Sequence, residues 1–533
     1  MSSIIDQIKG GIVVSCQAHE EDGLYGPENM ALMAKAAELG GAVGIRADDP
    51  KHIAAIRRTV KLPIIGIYKE DVEGYATRIT LNMDRAKEIF EAGSDIIALD
   101  CTNRPHPYGT TGIEMIKQIK EQFGCLVMAD ISNFEEGVAA ANAGADLVAT
   151  TLSGYTDYTP HTEGPDFELV ERLANTISVP VICEGRIASP EHARRLLHMG
   201  VHAIVVGSMI TRPMWITKQY ADMMKKTVAS MNATAYALDI GGTKIAASIV
   251  NGKGECLCEP IKTACPQDSR ESVVAACIEL LHQLANSSSI QPSCIGISTG
   301  GTITKKGEIL YATSSIPNWQ GTPLASLIEK EMNLPVVVCN DGNCAAVAEA
   351  RLGAGKLKKS CLCLTVGTGL GGGFTIDGEL TCGSDNMAQC FGHMIINKDG
   401  RSIGENEGAA ESYISGHALC YEYNRLVKKE EQVNTGKEVG DLAKQGKKEA
   451  IEATRIVGEW LGFALASMCA CLNPEVICIG GSVAELDDLL LEPARCSFQK
   501  HAFATIQKTP IVKAAFGNNA GVVGAALLAL EQC

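Results

Sequence analysis

Short β-branched apolar runs recur through the first part of the chain: IVVSCQ from residue 12, AVGIRA from 42, PIIGIYK from 63, IIALDC from 96, LVMADI from 126, LVATT from 147, PVICEG from 180 and AIVVGS from 203. The segments between them, such as NMALMAKAAELG and PEHARRLLHMG, place apolar residues three and four apart and close on glycine. That spacing predicts helices with one face toward a core and a glycine at the C-cap. Eight such units in about 225 residues predict a closed (β/α)8 barrel, because strands apolar along their whole length need helices over their outer face. An open doubly wound sheet is the alternative.

Beyond Lys226 the pattern changes. TVASMNATAY is small and polar, as linkers are, and predicts a boundary between one domain over 1–229 and a second over 234–533. AYALDIGGTKIAASIV then reads as a strand, a glycine turn and a second strand of alternating polarity. Its turn belongs to a hairpin and does not open a helix as a P-loop would. CIGISTGGTI (294–303) and CLTVGTGLGGGF (363–374) repeat the scheme of an apolar strand running into a glycine-rich turn. Between them, VVVCNDGNCAAVAEA is a strand that ends in Asn340 and Asp341 and enters a helix.

Composition narrows the chemistry. At 533 residues the chain needs more than one core, and its 46% hydrophobic and 20% charged residues are those of a globular protein. No run approaches the roughly 18 apolar residues of a membrane helix, and the start, MSSIIDQIKGGIVVSCQ, lacks the pattern of a signal peptide. Neither a membrane partner nor secretion is expected. A net charge of −15 without a basic stripe argues against nucleic acid, while small phosphorylated ligands need only backbone amides and an arginine or two. The 21 cysteines show no C-x-x-C spacing. The pairs Cys256/Cys258, Cys361/Cys363 and Cys469/Cys471 predict thiols on one strand face, buried and reduced, which fits a cytoplasmic protein.

Barrel chemistry sits at the C-terminal ends of strands, where this chain carries Gln17, Arg46, Lys69, Asp100, Asp130, Glu184, Arg186 and Ser208. Asp100 and Asp130 fit helix capping as well as ligand contact. Gly185-Arg186 and Gly207-Ser208 follow the last two strands, where barrel loops hold phosphate on backbone amides. In order, SCQAHE, GIRA, IYKED, ALDCTNRPHP, MADIS, TTLSGYT, CEGRI and VVGSMITRP resemble the N-acetylmannosamine-6-phosphate 2-epimerases over nearly all of 1–229. The resemblance implies that an open-chain sugar phosphate loses the proton on C2, beside the C1 aldehyde, and regains one on the opposite face. It makes Lys69 and Glu184 the acid/base pair, sets Gln17, Arg46 and Asp130 on the N-acetyl and hydroxyl groups, and sets Gly185, Arg186, Gly207 and Ser208 on the phosphate. A lysine accepts a proton near neutrality only when burial or a nearby cation lowers its pKa, and Arg46 is the expected neighbour. A Schiff-base synthase with Lys69 as nucleophile is the rival chemistry.

In the second half the glycines of DIGGTK let the backbone approach phosphate oxygens, and Asp239 is a candidate to reach a magnesium ion or its waters. Asp341, at a strand end facing glycine turns, stands where phosphoryl transfer to an alcohol needs a proton acceptor, the alternative being a plain helix N-cap. DIGGTK, the GISTGG turn, NDGNCAA, TVGTGLGGG and NPEVICIGGSV together resemble the ROK family of sugar kinases over 234–533. The resemblance implies two α/β lobes of actin-like (ribonuclease H-like) fold, with ATP and Mg2+ in the cleft. By it, Asp341 takes the proton of the sugar 6-hydroxyl, Asn318 and Asn340 hold the sugar, and His393 and Glu411 contact its hydroxyls. Asp239, Gly241, Gly242, Thr243, Lys244, Gly367, Thr368, Gly369, Gly480 and Gly481 face the nucleotide.

The chain also departs from that family. Many members carry E-x-G-H and then a cysteine-rich zinc loop; here Cys390 replaces the glutamate, and Ser402, Gly404 and Ala409 stand at thiolate positions. With so few ligands no structural zinc is expected. ROK relatives include sugar-sensing repressors, but their DNA-binding element would lie where this chain has its barrel. Met231 looks like the relic of an independent start, and the two resemblances imply consecutive reactions. Phosphorylating N-acetylmannosamine at O6 makes the substrate for epimerisation to N-acetylglucosamine 6-phosphate, as sialic acid breakdown requires. Both families commonly form dimers, so a homo-oligomer is expected.

Overall fold

A computed structural model describes residues 3–312, 316–384, 386, 388–402 and 406–532. The chain falls into two compact units, Met1–Met223 and Met224–Cys533.

In the first unit eight parallel strands close into a barrel: β1 (Ile12–Cys16), β2 (Gly44–Asp48), β3 (Ile64–Ile67), β4 (Ile96–Asp100), β5 (Leu126–Asp130), β6 (Leu147–Ala149), β7 (Val181–Glu184) and β8 (Ala203–Val206). Closure is made by β8 against β1, with Val205 opposite Val13. The strands are apolar on both faces because both are buried. One face packs on helices through residues such as Ile53, Ile89 and Ile116. The other fills the interior with Ile65, Ile96, Met128, Leu147 and Ile182. The short helix Ile4–Ile8, held by a capping box of Ser3 and Asp6, adds Ile8 to that interior core. Loops at the C-terminal strand ends enter helices through Asn82, Thr111, Asn133, Asp166 and Ser189, each accepting a first-turn N–H.

The second unit holds two five-stranded sheets and a small hairpin. The first sheet runs β11 (Ile261–Ala264), β10 (Lys244–Asn251), β9 (Thr234–Ile240), β12 (Cys294–Thr299) and β15 (Val336–Asn340); β13 (Thr302–Ile303) and β14 (Ile309–Tyr311) form the hairpin. The second sheet runs β18 (Glu379–Leu380), β17 (Leu370–Ile376), β16 (Ser360–Val366), β19 (Val476–Gly480) and β20 (Ile511–Lys513). The helices Asp341–Arg351 and Ala520–Gln532 meet at Gly524, where a Cβ would lie 1.8 Å from the Cys344 carbonyl oxygen. Only glycine permits that approach. Glu349, on the first of these helices, has no exposed surface. Its carboxylate accepts the N–H groups of Ala354 (2.9 Å), Ala515 (2.9 Å) and Phe516 (2.8 Å), which satisfies a group too costly to bury alone.

Three expectations change. The boundary segment is helical: one helix runs unbroken over Pro213–Asn232, past Lys226 and through most of the stretch read as a linker. Of the paired cysteines only Cys361 and Cys363 share a strand, since Cys469 and Cys471 lie on the helix Lys448–Leu472 and Cys256 and Cys258 lie outside any named strand. That helix is long and apolar enough by length and composition to cross a membrane. Here Val457, Leu461, Leu465 and Met468 bury it in the core of the second unit, and at Gly462 it presses on the helix Asp488–His501, where a Cβ would lie 2.1 Å from the Ala494 carbonyl oxygen.

Candidate active sites

In the barrel, the C-terminal strand ends surround a cavity of about 730 Å³ whose wall includes Gln17, Arg46, Lys69, Glu184, Gly185, Arg186, Gly207 and Ser208. Glu184 is the last residue of β7, and Lys69 lies just beyond β3 with its backbone N–H on the Asp48 carboxylate (2.8 Å). The Lys69 ammonium donates to Gln17 Oε1, and Gln17 Nε2 donates to Ser15 Oγ (2.8 Å). Arg46 is 1% exposed and joins both carboxylates of the site. Its Nη2 lies 2.6 Å from Asp130 Oδ2, and its Nη1 lies 2.7 Å from Glu184 Oε2.

Burial shifts these groups in opposite senses. Lys69 is lowered, first by burial and further by the like charge of Arg46, with Asp48 opposing. Glu184 is raised, first by burial and further by Asp130, with Arg46 opposing. For Arg46 burial works against the charge, but Asp130 and Glu184 outweigh it and raise the guanidinium still higher. An amine pushed toward neutrality thus shares a cavity with a carboxyl pushed toward the acid form.

Asp130 and Asp100 turn out otherwise than as wall residues. Asp130 has no exposed surface, is absent from the cavity lining, and is engaged by Arg46 and the Thr151 hydroxyl (2.6 Å). It orients Arg46 from behind. Asp100 accepts from Thr102 and pairs with Arg104 at 2.7 Å, pinning its own loop. Gly185 (φ 111°) and Arg186 (φ 53°) are both left-handed, and Arg186 Nη1 is buried beside the cavity with no hydrogen-bond partner among the described residues. Gly207 and Ser208 open the one-turn helix Ser208–Thr211. The sequence motifs do not single out Thr151, whose hydroxyl touches both Asp130 and Glu184, or Arg212, which lines the cavity while paired with Asp22 at 2.8 Å.

In the second unit Asp239, Ser298 and Cys339 lie abreast on adjacent parallel strands, with Ile240, Thr299 and Asn340 one step on. Ser298 Oγ donates to Asp239 Oδ1 at 2.7 Å. Burial raises Asp239 to about 6, the hydroxyl of Ser298 opposing and the charge of Asp341 adding. The N-cap of the helix Asp341–Arg351 is Asn340, which accepts the Asn343 N–H at 3.2 Å and donates to the Gly301 carbonyl at 2.9 Å. Both functional groups of Asn340 are therefore used within the protein, and Asp341 is released from the capping role. Its carboxyl is raised, first by the protein packed around it and also by Glu411, while its surface stays exposed to solvent.

The glycine turns divide by use. Gly241 to Lys244 form the tight end of the β9–β10 hairpin, with Thr243 and Lys244 exposed. At Gly367 a Cβ would meet no atom within 4 Å, and Thr368 is exposed, so this turn is open. At Gly369 a Cβ would lie 2.3 Å from Glu411 Oε2, and Glu411 accepts the Leu370 N–H at 2.9 Å. Gly371 to Gly373 serve packing instead: Gly342 presses on Gly372, where a Cβ would lie 2.3 Å from its nitrogen. Gly480 ends β19, and Gly481 follows at φ 87°. Asn318 is exposed at φ 51°. His393 is exposed too, edge-on to Tyr311 with ring centres 6.4 Å apart. Of the residues at the thiolate positions, Gly404 lies outside the described residues.

Comparison with known proteins matches residues 30–226 to the NanE family of N-acetylmannosamine-6-phosphate epimerases and residues 235–532 to the ROK family. A bifunctional enzyme NanE/NanK from Brucella melitensis biotype 1 is 31% identical over 533 residues, spanning 99% of this chain and 98% of its own. The chain belongs to the bifunctional NanE/NanK enzymes. Its barrel is the epimerase half and its two sheets are the kinase half. A protein of Caldanaerobacter subterraneus named as an N-acetylmannosamine-6-phosphate 2-epimerase is 50% identical over 224 residues, 42% of this chain and 94% of its own. A ROK-family glucokinase from Streptomyces griseus, solved with glucose and AMPPNP, is 32% identical with a TM-score of 0.51, covering 56% of this chain and 99% of that one.

Proposed function

We propose that the kinase half phosphorylates N-acetylmannosamine at O6 with ATP and that the epimerase half inverts C2 of the product, giving N-acetylglucosamine 6-phosphate. The observation that carries this is the pairing of Lys69 and Glu184, shifted in opposite senses, on one cavity that Gly185, Arg186, Gly207 and Ser208 also line. The unpartnered Nη1 of Arg186 suits a phosphate there, since a buried donor without an acceptor is costly.

In the epimerase half the open-chain sugar loses its C2 proton to one member of the pair, and the other delivers a proton to the opposite face. Arg46 steadies negative charge as the enolate forms, and Gln17 keeps Lys69 aimed. In the kinase half Asp341 orients the 6-hydroxyl and accepts its proton as the phosphoryl group passes from ATP to that oxygen and ADP departs. Two carboxylates within electrostatic reach, Asp239 and Asp341, suit a divalent cation that offsets both charges. Asp239 would hold such an ion or its waters, and the ion would supply neutralisation of charge on the phosphoryl oxygens. Cytoplasmic, homo-oligomeric operation without structural zinc completes the reading.

One coupled experiment tests it: N-acetylmannosamine, ATP and magnesium are supplied and the phosphosugar is followed by NMR. Accumulation of N-acetylglucosamine 6-phosphate is expected; phosphorylation without inversion at C2 removes the barrel's assignment. A pH dependence follows for the kinase half. Asp239 is raised from 3.8 to about 6, so its ionised form is present above that pH and is lost as pH falls through it. Below that point kcat/KM for ATP should fall about tenfold per pH unit. The variant Asp239→Asn should show a low rate without that limb, and an unchanged limb in the variant assigns it elsewhere.

A further inference from the structure

Apart from the reacting groups, the kinase half contains a polar cluster built on Arg401. Residues 394–402 and 406–410 form a narrow ribbon, closed by Ala410 N–H to the Met394 carbonyl (2.7 Å) and Ile396 N–H to the Gly408 carbonyl (2.9 Å). His393 and Glu411 flank its two ends. Arg401 reaches back from the ribbon and lies between two rings, its guanidinium carbon 4.6 Å from the Tyr413 centroid and 4.1 Å from that of Tyr421. Its Nε donates to the Ser412 carbonyl at 2.8 Å and its Nη1 donates to the Glu422 carboxylate. The Arg401 backbone N–H (2.9 Å) and Asn397 Nδ2 (3.0 Å) both donate to the Tyr413 hydroxyl. Trp460 backs the Tyr413 ring at 4.3 Å.

These contacts draw on what separates arginine from lysine, a flat face for two rings and a fork that donates in two directions, while Nη2 is buried without a hydrogen-bond partner among the described residues. Glu422 is 4% exposed at its side chain, so its charge depends on Arg401 and on Arg425, whose Nη1 lies at 2.9 Å. Among the described residues no group of three or more His, Cys, Asp or Glu is placed to hold a metal ion. Through Ser412, Arg401 grips the residue next to Glu411, and Glu411 in turn accepts the Leu370 N–H of the β16–β17 turn. The ribbon is thereby tied to a glycine turn beside Asp341.

We propose that Arg401 is the positioning residue of the kinase sugar pocket, fixing the ribbon so that His393 and Glu411 are presented to the sugar. This rests on the proposed reading of those two residues. Its loss loosens the grip on the sugar; the barrel and the nucleotide turns at Gly241 and Gly481 lie outside these contacts, and the Gly367–Gly369 turn is reached through Glu411 and Leu370.

The test uses the full chain with Arg401→Met, Arg401→Lys and His393→Ala. Both Arg401 variants should raise KM for N-acetylmannosamine by about tenfold, with a smaller change in kcat, because positioning errors weaken binding of the group they misplace. The epimerase rate should stay at the unsubstituted value, and KM for ATP should rise far less than KM for the sugar. Glu422→Gln, which keeps the rings and an acceptor, should raise the sugar KM by only about threefold. If Arg401→Met does not fold, Tyr421→Leu takes its place, removing one exposed ring face. An unchanged sugar KM in these variants overturns the proposal, as does a parallel rise in the KM for ATP, which assigns Arg401 to the fold at large. Should His393→Ala raise the sugar KM while the Arg401 variants do not, the clamp fails and the sugar reading stands. Should none of them do so, that reading of His393 fails.

Discussion

Lys69→Met is expected to lower the epimerase kcat by about a thousandfold, within the range that a positioned acid or base supplies, and to leave phosphorylation of N-acetylmannosamine intact. Methionine keeps the length and apolar contacts of the lysine stem, so the loss reports the amine. The argument rests on burial: Lys69 is lowered because protein atoms replace water and Arg46 adds like charge, which is what makes a lysine a usable proton acceptor near neutrality. Exchange of the C2 hydrogen with solvent deuterium, read by NMR, should disappear with turnover. Glu184→Gln distinguishes one moving proton from two, since exchange surviving in a single epimer shows that Lys69 and Glu184 serve opposite faces. Trapping of substrate on Lys69 by borohydride in the unsubstituted enzyme would replace proton transfer with Schiff-base chemistry.

Asp341→Asn should lower the kinase kcat by a similar factor, about a thousandfold, with KM for ATP little changed and the epimerase untouched. The substitution is unusually clean because Asp341 is not the helix cap. Asn340 performs that task, so the helix Asp341–Arg351 keeps its first turn when the carboxylate is removed. An amide oxygen at 341 still accepts the Gly342 N–H that Asp341 Oδ1 accepts at 2.8 Å. What disappears is the acceptor for the hydroxyl proton. Turnover equal to that of the unsubstituted enzyme rules out Asp341 as that acceptor.

The barrel was legible because its signal repeats. Eight apolar runs separated by helical spacing leave few other ways to bury both faces of every strand. Glu184 and Lys69 were legible as polar residues closing such runs. Asp130 looks the same in sequence, and only its side-chain pairing with Arg46, from a strand that is not its neighbour, shows that it engages the guanidinium and does not line the cavity. The glycines of GTGLGGG have two uses in the fold, an open turn at Gly367 and close packing at Gly371 to Gly373, and both uses carry one sequence signature. The segment 227–232 reads as a linker from its small polar residues, yet alanine, serine and methionine also extend a helix that is already nucleated. Arg401 gives no signal at all, since Glu422 is 21 residues away and the clamp exists only after folding.

Glu349 has a consequence for how the kinase half opens. One carboxylate holds the amides of Ala354, Ala515 and Phe516, groups separated by more than 160 residues of chain. In hydrogen–deuterium exchange these three sites should exchange as a single cooperative unit and not as two independent surface loops. In Glu349→Gln, where one acceptor oxygen becomes a donor, protection should collapse at all three positions together.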